Sequence, residues 1–223
     1  MCGIVGFLKP EGFCEDEAFE VVKRMNKSLS HRGPDDEGIW CSKEEGIALG
    51  HCRLSILDLS QAGHQPMFSD TGRFVMVFNG EIYNHQELRS NFHNKEWRGH
   101  SDTEILLAAI ENWGLERTLL NCVGMFALAL WDRQLCILYL ARDRIGEKPL
   151  YYGWQGKSFI FGSELKSFKH HPDFRNEINR EALSLYVQNG YVPTPYSIFR
   201  NIYKLNPGAI AIIHRNSSAS TSP

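Results

Sequence analysis

The sequence has no Cys-x-x-Cys pair, no apolar run of about 18 residues and no internal repeat. The first absence removes zinc-site and thioredoxin-type readings, and the second predicts that no helix spans a membrane. Charge of one sign is also missing, since 24 Lys and Arg stand against 26 Asp and Glu. The basic residues do not cluster, so nothing points to a nucleic-acid surface. No basic stretch followed by an apolar one opens the chain, so no secretory signal is expected and a cytoplasmic protein is. Six cysteines, at positions 2, 14, 41, 52, 122 and 136, are spaced widely and irregularly. In a chain of this length they fit reduced, buried thiols as well as disulfides.

What is present is ordinary in bulk and specific in detail. The 223 residues are 43% hydrophobic, enough for one large domain or two small ones without covalent staples. Gly3–Leu8 reads as a short buried strand stopped by Pro10, and Glu15–Ser30 as a helix with Phe19, Val22 and Met25 on its apolar face. Strands are expected at Gly38–Cys41, Ile47–Cys52 and Phe74–Phe78. Asn84 is expected to cap a helix through Leu88, and Asp102 one through Trp113. Phe126–Trp131 and Leu135–Ala141 read as a hairpin turned at Asp132-Arg133-Gln134, and Leu150–Trp154 and Ser158–Phe161 as another. A short helix at Ala182–Gln188 and a last strand at Ala209–Ile213 precede a Ser/Thr-rich end expected to be disordered. Apolar runs without clean alternation imply strands buried on both faces. The fold class is therefore α+β, with two sheets packed on each other and covered by helices in four layers.

Cys2 is the first candidate for chemistry. If Met1 is removed, the thiol and the α-amine fall on one residue, and the amine can serve as the thiol's general base, directly or through a water. An α-amine titrates near ~7.7–8.0 and a free thiol near ~8.5, so exchange between them is feasible near neutral pH. The competing reading is a buried cysteine at the start of a strand. Three further segments are dense in specialised residues: His31 to Gly38, Gly50 to Leu59 and Phe78 to Asn84. Asn79-Gly80 after an apolar run also invites a plain hairpin reading. His31 and Arg32 are read as braces of the loop they lie in, and His51 and His100 as satisfied or solvated histidines. Arg142-Asp143-Arg144 is read as an internal ion-pair network or a surface toward a partner domain.

The stretches MCGIVGF, HRGPDDEG, GHCRLSILDL, QPM at 65–67, FNGEIYNH, SDTE, GMFALALWD, ARDRIGEKPLYY and GSELKS follow one another over nearly the whole chain. Together they resemble the glutamine-hydrolysing domain of asparagine synthetases, class II amidotransferases of the N-terminal-nucleophile hydrolase superfamily. Phosphoribosyl- and hexosamine-type amidotransferases share the opening cysteine but differ after the His-Arg-Gly element and around Asn-Gly.

The resemblance implies an αββα sandwich of N-terminal-nucleophile hydrolase type over residues 2–213, followed by a polar tail at 214–223. It implies that Cys2 attacks the side-chain amide of L-glutamine, with the Asn79 amide and the Gly80 N–H holding the oxyanion. Arg53 would take the substrate's α-carboxylate and Asp102 its α-ammonium. Backbone around Leu54, Ser55, Ile56 and Leu57, and at Glu81, would complete the cradle. No metal or cofactor is implied for this domain. ATP and Mg would belong to a synthetase domain, whose Ser-Gly-Gly-x-Asp-Ser loop these residues do not contain. The implied partners are glutamine, a synthetase domain or subunit and, by family resemblance, a second copy in a homodimer; no nucleic acid or membrane is. Two alternatives stay open: a related amidotransferase with an acceptor other than aspartate, and a fragment that binds a partner without turnover.

Overall fold

The computed structural model describes residues 1–217. The tail expected from 214 onward falls mainly on 218–223, which lie outside the described residues.

The strands are β1 (Gly3–Leu8), β2 (Asp36–Ser42), β3 (Ile47–Arg53), β4 (Met67–Phe68), β5 (Phe74–Ile82), β6 (Gly124–Asp132), β7 (Ile137–Arg142), β8 (Tyr151–Gln155), β9 (Ser158–Gly162), β10 (Tyr203–Lys204) and β11 (Ile210–His214). The helices are α1 (Glu15–Lys27), α2 (His85–Arg89), α3 (Asp102–Trp113), α4 (Leu115–Asn121), α5 (Leu165–Phe168) and α6 (Arg180–Asn189). One sheet runs β10-β8-β9-β1-β3-β2 and the other β11-β7-β6-β5-β4. Every pairing within them is antiparallel.

Side-chain alternation builds the layers. In β1, Ile4 and Leu8 face the second sheet, while Val5 and Phe7 pack under α1 and α5. In β6, Ala127, Ala129 and Trp131 face the first sheet, while Phe126, Leu128 and Leu130 pack against α3. Both faces of both sheets are thus apolar, which is why these strands lack a polar alternate face. The result is the four-layer αββα arrangement.

Helix α1 carries Glu15, Asp16 and Glu17 in its first turn and Arg24 and Lys27 in its last, matching its dipole. Its buried stripe is Ala18, Val22 and Met25; Phe19, expected on that face, is 42% exposed. The helix stops at Lys27, short of Ser30, and tight turns follow. The hairpin after β6 turns later than expected. Asp132 Oδ1 accepts from the N–H groups of Gln134 and Leu135, and Cys136 takes a positive φ of 52°. No helix among the described residues is long and apolar enough to cross a membrane. All six cysteines are free.

Two buried histidines make the fold acid-sensitive. Burial pushes His51 and His171 down from 6.5 to about 4. Each is neutral when folded, so their stabilisation is present above 6.5 and lost as pH falls toward 4. Moving from about pH 7 to about pH 5 is expected to remove roughly 1–2 kcal/mol per histidine. Urea unfolding at the two pH values checks this, and an unchanged midpoint would contradict it.

Candidate active site

Sheet register brings the first two site residues together. Gly3 pairs with Cys52, so Cys2 and Arg53 lie side by side where β1 begins and β3 ends. The Leu54 N–H lies 3.4 Å from Cys2 Sγ, and the thiol faces the Leu54 carbonyl at 3.7 Å. Burial raises the Cys2 thiol, opposed by the Leu54 contact, the N-terminal amine and Arg53. Arg32 Nε donates to the Cys2 carbonyl at 2.9 Å, and its Nη1 donates to Glu164 at 2.7 Å. His31 meets the same carboxylate at 3.1 Å. Burial works against the Glu164 charge, yet Arg32, Lys166 and His31 hold it down to about 2. Arg32 therefore fastens the Cys2 backbone, and His31 joins it on the Glu164 carboxylate.

The second sheet supplies the opposite wall. Asn79-Gly80 does not form the hairpin that its sequence invites. It stands inside β5, with Asn79 opposite Ala127 and Gly80 opposite Phe126. Pairing with β6 and burial override the local turn preference, and Asn79 is 1% exposed. The Asn79 Nδ2 group is buried without a hydrogen-bond partner among the described residues.

The Gly80 backbone is placed by what Phe126 does. Phe126 commits both its N–H and its carbonyl to Asp143, at 3.2 and 2.9 Å. Hydrogen-bonded and non-hydrogen-bonded pairs alternate in an antiparallel ladder, so the N–H groups of Phe78, Gly80 and Ile82 point away from β6. The Phe78 N–H goes to Gln65 Oε1 at 2.7 Å and the Ile82 N–H to Asp102 Oδ2 at 2.8 Å. Between them, the Gly80 N–H faces the cavity, because β4 reaches only Val75 and Met76. A Cβ at Gly80 would lie 2.2 Å from the Met125 carbonyl oxygen.

Asp102 does not cap α3. Ser101 does, accepting from the Glu104 N–H at 3.2 Å. That frees the Asp102 carboxylate for β5 and the cavity. Burial raises its pKa, opposed by the Ile82 N–H. Arg53, 7% exposed, donates to the carbonyls of Ser60, at 2.8 Å, and Asp58. Gly63 leaves room for the guanidinium, since a Cβ there would meet Nη2 at 2.1 Å. Asp58 fixes the same loop by accepting from the N–H groups of Ser60 and His100, at 2.8 and 2.7 Å. Hydrogen bonds from Ser60 and His100 hold its carboxyl down to about 2.

One cavity is lined by Cys2, Arg53, Leu54, Ile56, Leu57, Asn79, Gly80, Glu81 and Asp102. Ser55 is not part of this lining; its N–H donates to Asp35 at 2.8 Å. Sequence reasoning assigned no role to Asp58, Gln65, Thr103, Met125 or Lys148, which line it together with Met1. All of them lie inside the motifs quoted above, and nothing in the motifs themselves separates lining from bracing. His51 is buried and reaches the Phe78 carbonyl at 3.0 Å, while His100 contributes a backbone N–H to Asp58. Arg142-Asp143-Arg144 is not an ion-pair network. Arg142 donates to the carbonyls of Gly146, Lys148 and Leu205, and Arg144 to those of Leu119, Leu120 and Cys122. Asp143 accepts backbone N–H groups from 145 to 148. Among the described residues, no group of three or more His, Cys, Asp or Glu is arranged to hold a metal ion.

The profile of the glutamine amidotransferase domain family matches residues 1–222. The chain belongs to that family. Similar proteins include the glutamine-hydrolysing asparagine synthetase 2 of Methanocaldococcus jannaschii, 40% identical over 92% of this chain and 42% of that protein. Asparagine synthetase 3 of Bacillus subtilis is 38% identical over 93% of this chain and 34% of that protein. This amidotransferase domain thus spans well under half the length of the curated relatives it matches. Among solved structures, the glutamine phosphoribosylpyrophosphate amidotransferase of B. subtilis superposes with a TM-score of 0.64 at 22% identity. The match covers 75% of this chain and 43% of that one. That likeness shows that the two chains share a fold.

Proposed function

We propose that this chain hydrolyses L-glutamine to L-glutamate and ammonia through a thioester on Cys2. The observation that carries the reading is the buried, unpartnered Asn79 Nδ2 beside the outward-facing Gly80 N–H, in one cavity with the Cys2 thiol. Two donors without acceptors among the described residues, next to a nucleophile, suit a developing oxyanion.

The steps follow from the groups present. Removal of Met1 bares the Cys2 amine, which accepts the thiol proton as Sγ attacks the substrate's side-chain carbonyl carbon. The carbonyl electron pair moves to oxygen, where Asn79 Nδ2 and the Gly80 N–H hold it. The tetrahedral adduct collapses, the C–N bond breaks, and the amine returns its proton to the departing nitrogen as ammonia leaves. Water then attacks the thioester with the amine as base, releasing glutamate and restoring the thiol. Arg53 takes the substrate's α-carboxylate. Asp102, kept from easy ionisation by burial, is matched to the α-ammonium, which would stabilise its charge. The chemistry needs no cofactor or metal.

Glutamate release is expected from protein that begins at Cys2 and not from protein that retains Met1, whose N-terminal side chain lines the same cavity. Equal release from the two forms would overturn the role of the freed amine. Arg53→Ala is expected to raise KM for glutamine roughly 10–100-fold while largely sparing kcat, because it removes a charged ground-state contact. A fall in kcat at unchanged KM would contradict that placement.

The ammonia is proposed to serve a cytoplasmic, ATP-dependent synthetase domain or subunit that converts aspartate to asparagine. The names and greater length of the relatives support this acceptor. Supplying that partner with ATP, Mg and aspartate should yield asparagine. Glutamate release without asparagine would instead favour another acceptor.

A further inference from the structure

The open edge of β5 is completed by side chains. Strand β4 pairs with Val75 and Met76 and goes no further. Beyond it, the Phe78 N–H donates to Gln65 Oε1 at 2.7 Å, and the Ile82 N–H to Asp102 Oδ2 at 2.8 Å. Polarity fixes the rest. A backbone N–H can only donate, so the oxygen of the Gln65 amide must face Phe78 and its nitrogen must face Thr103 Oγ1, 3.2 Å away. That nitrogen can also only donate, so the Thr103 oxygen accepts from it. The Thr103 proton is then directed to Asp102 Oδ1 at 3.5 Å. This exceeds a relaxed O–H···O bond of about 2.8 Å, as polar pairs in unliganded sites often do. Gln65 and Thr103 are 5% and 3% exposed, so water competes little for these groups.

The chain Gln65–Thr103–Asp102 thus straps the edge of β5. It occupies the N–H groups on either side of Gly80 and leaves that of Gly80 to the cavity. We propose that Gln65 is a positioning residue that, through Thr103, sets the Asp102 carboxylate for the substrate's α-ammonium while it holds the strand edge beside Gly80. The proposal rests on the glutaminase reading above. It makes Gln65 a link between amino-acid recognition and the oxyanion donors.

Three substitutions test this link. Gln65→Glu keeps an oxygen for the Phe78 N–H but loses the donor to Thr103, whose proton then turns from Asp102 to the new carboxylate. KM for glutamine should rise roughly tenfold with kcat nearly unchanged. The added negative charge also disfavours ionised Asp102, so the acid limb of kcat/KM should move to higher pH. Thr103→Val removes the hydroxyl that donates to Asp102 and should raise KM alike, while Thr103→Ser keeps the hydroxyl and should restore it. A merely structural role would not produce this split, this limb shift or this rescue.

The experiment measures glutamate release against glutamine concentration and pH, on proteins beginning at Cys2. Raised KM in Gln65→Glu and Thr103→Val with rescue in Thr103→Ser supports the proposal. If Gln65→Glu does not fold, the Thr103 pair decides alone. A wild-type KM in Thr103→Val, or a loss confined to kcat, overturns the positioning role and leaves the glutaminase reading standing. No release from the unsubstituted protein overturns that reading, and the proposal with it.

Discussion

Cys2→Ala lowers glutamate release by roughly 10⁴-fold or more, yet binds glutamine nearly as well as the unsubstituted protein. The expectation comes from the division of labour in the cavity. In the proposed mechanism the thiol supplies the bond-forming atom, while Arg53 and Asp102, on β3 and α3 and lining the same cavity, grip the zwitterionic end of the substrate. Removing Sγ leaves that grip in place. Alanine also keeps a small second residue, so Met1 removal and the Arg32 bond to the residue-2 carbonyl persist. Calorimetric titration of Cys2→Ala with glutamine, beside a glutamate assay, checks both halves. Lost affinity together with lost turnover would place Cys2 in the binding site's framework and not in its chemistry.

Asn79→Ala should lower kcat by roughly 10²–10³ with little change in KM, as loss of one oxyanion donor does. The structure makes this a clean substitution. Nδ2 has no protein partner among the described residues, so its removal leaves no protein acceptor unpaired. The Gly80 N–H, set by the commitment of Phe126 to Asp143, stays as the second donor and accounts for residual activity. Steady-state kinetics on the variant are the check, and an undiminished kcat would remove Asn79 from the mechanism. Asn79→Asp should be at least as damaging, since it keeps the shape and turns the donor into a repelling carboxylate.

The sheets were readable because apolar runs such as Phe126–Trp131 are short and closed by turn residues such as Asp132-Arg133-Gln134, the pattern of strands covered on both faces. The four layers followed from two blocks of such runs with helices before and between them. Motif resemblance reached Cys2, Arg53, Asn79, Gly80 and Asp102, and the fold gathers these residues at one cavity. Local rules failed where tertiary pairing decides. Asn79-Gly80 looks like a turn until β6 pairs across it, and Asp102 looks like a helix cap until Ser101 takes that role. Arg142-Asp143-Arg144 looks like an ion-pair network, but its charges meet backbone groups whose positions no sequence pattern reveals. Gln65 and Thr103 were unreadable for the same reason. Their importance depends on strand β4 ending early and leaving Phe78 and Ile82 without a neighbour.

The central claim is that the thiol of a bared Cys2 carries the glutamyl group. Acid quenching of the reaction, followed by peptide mass spectrometry on protein that begins at Cys2, tests it most directly. The account predicts a gain equal to glutamine less ammonia, on the N-terminal peptide and at Cys2, and no such gain in Cys2→Ala. An adduct at any other residue, or glutamate release that continues in Cys2→Ala, would contradict it.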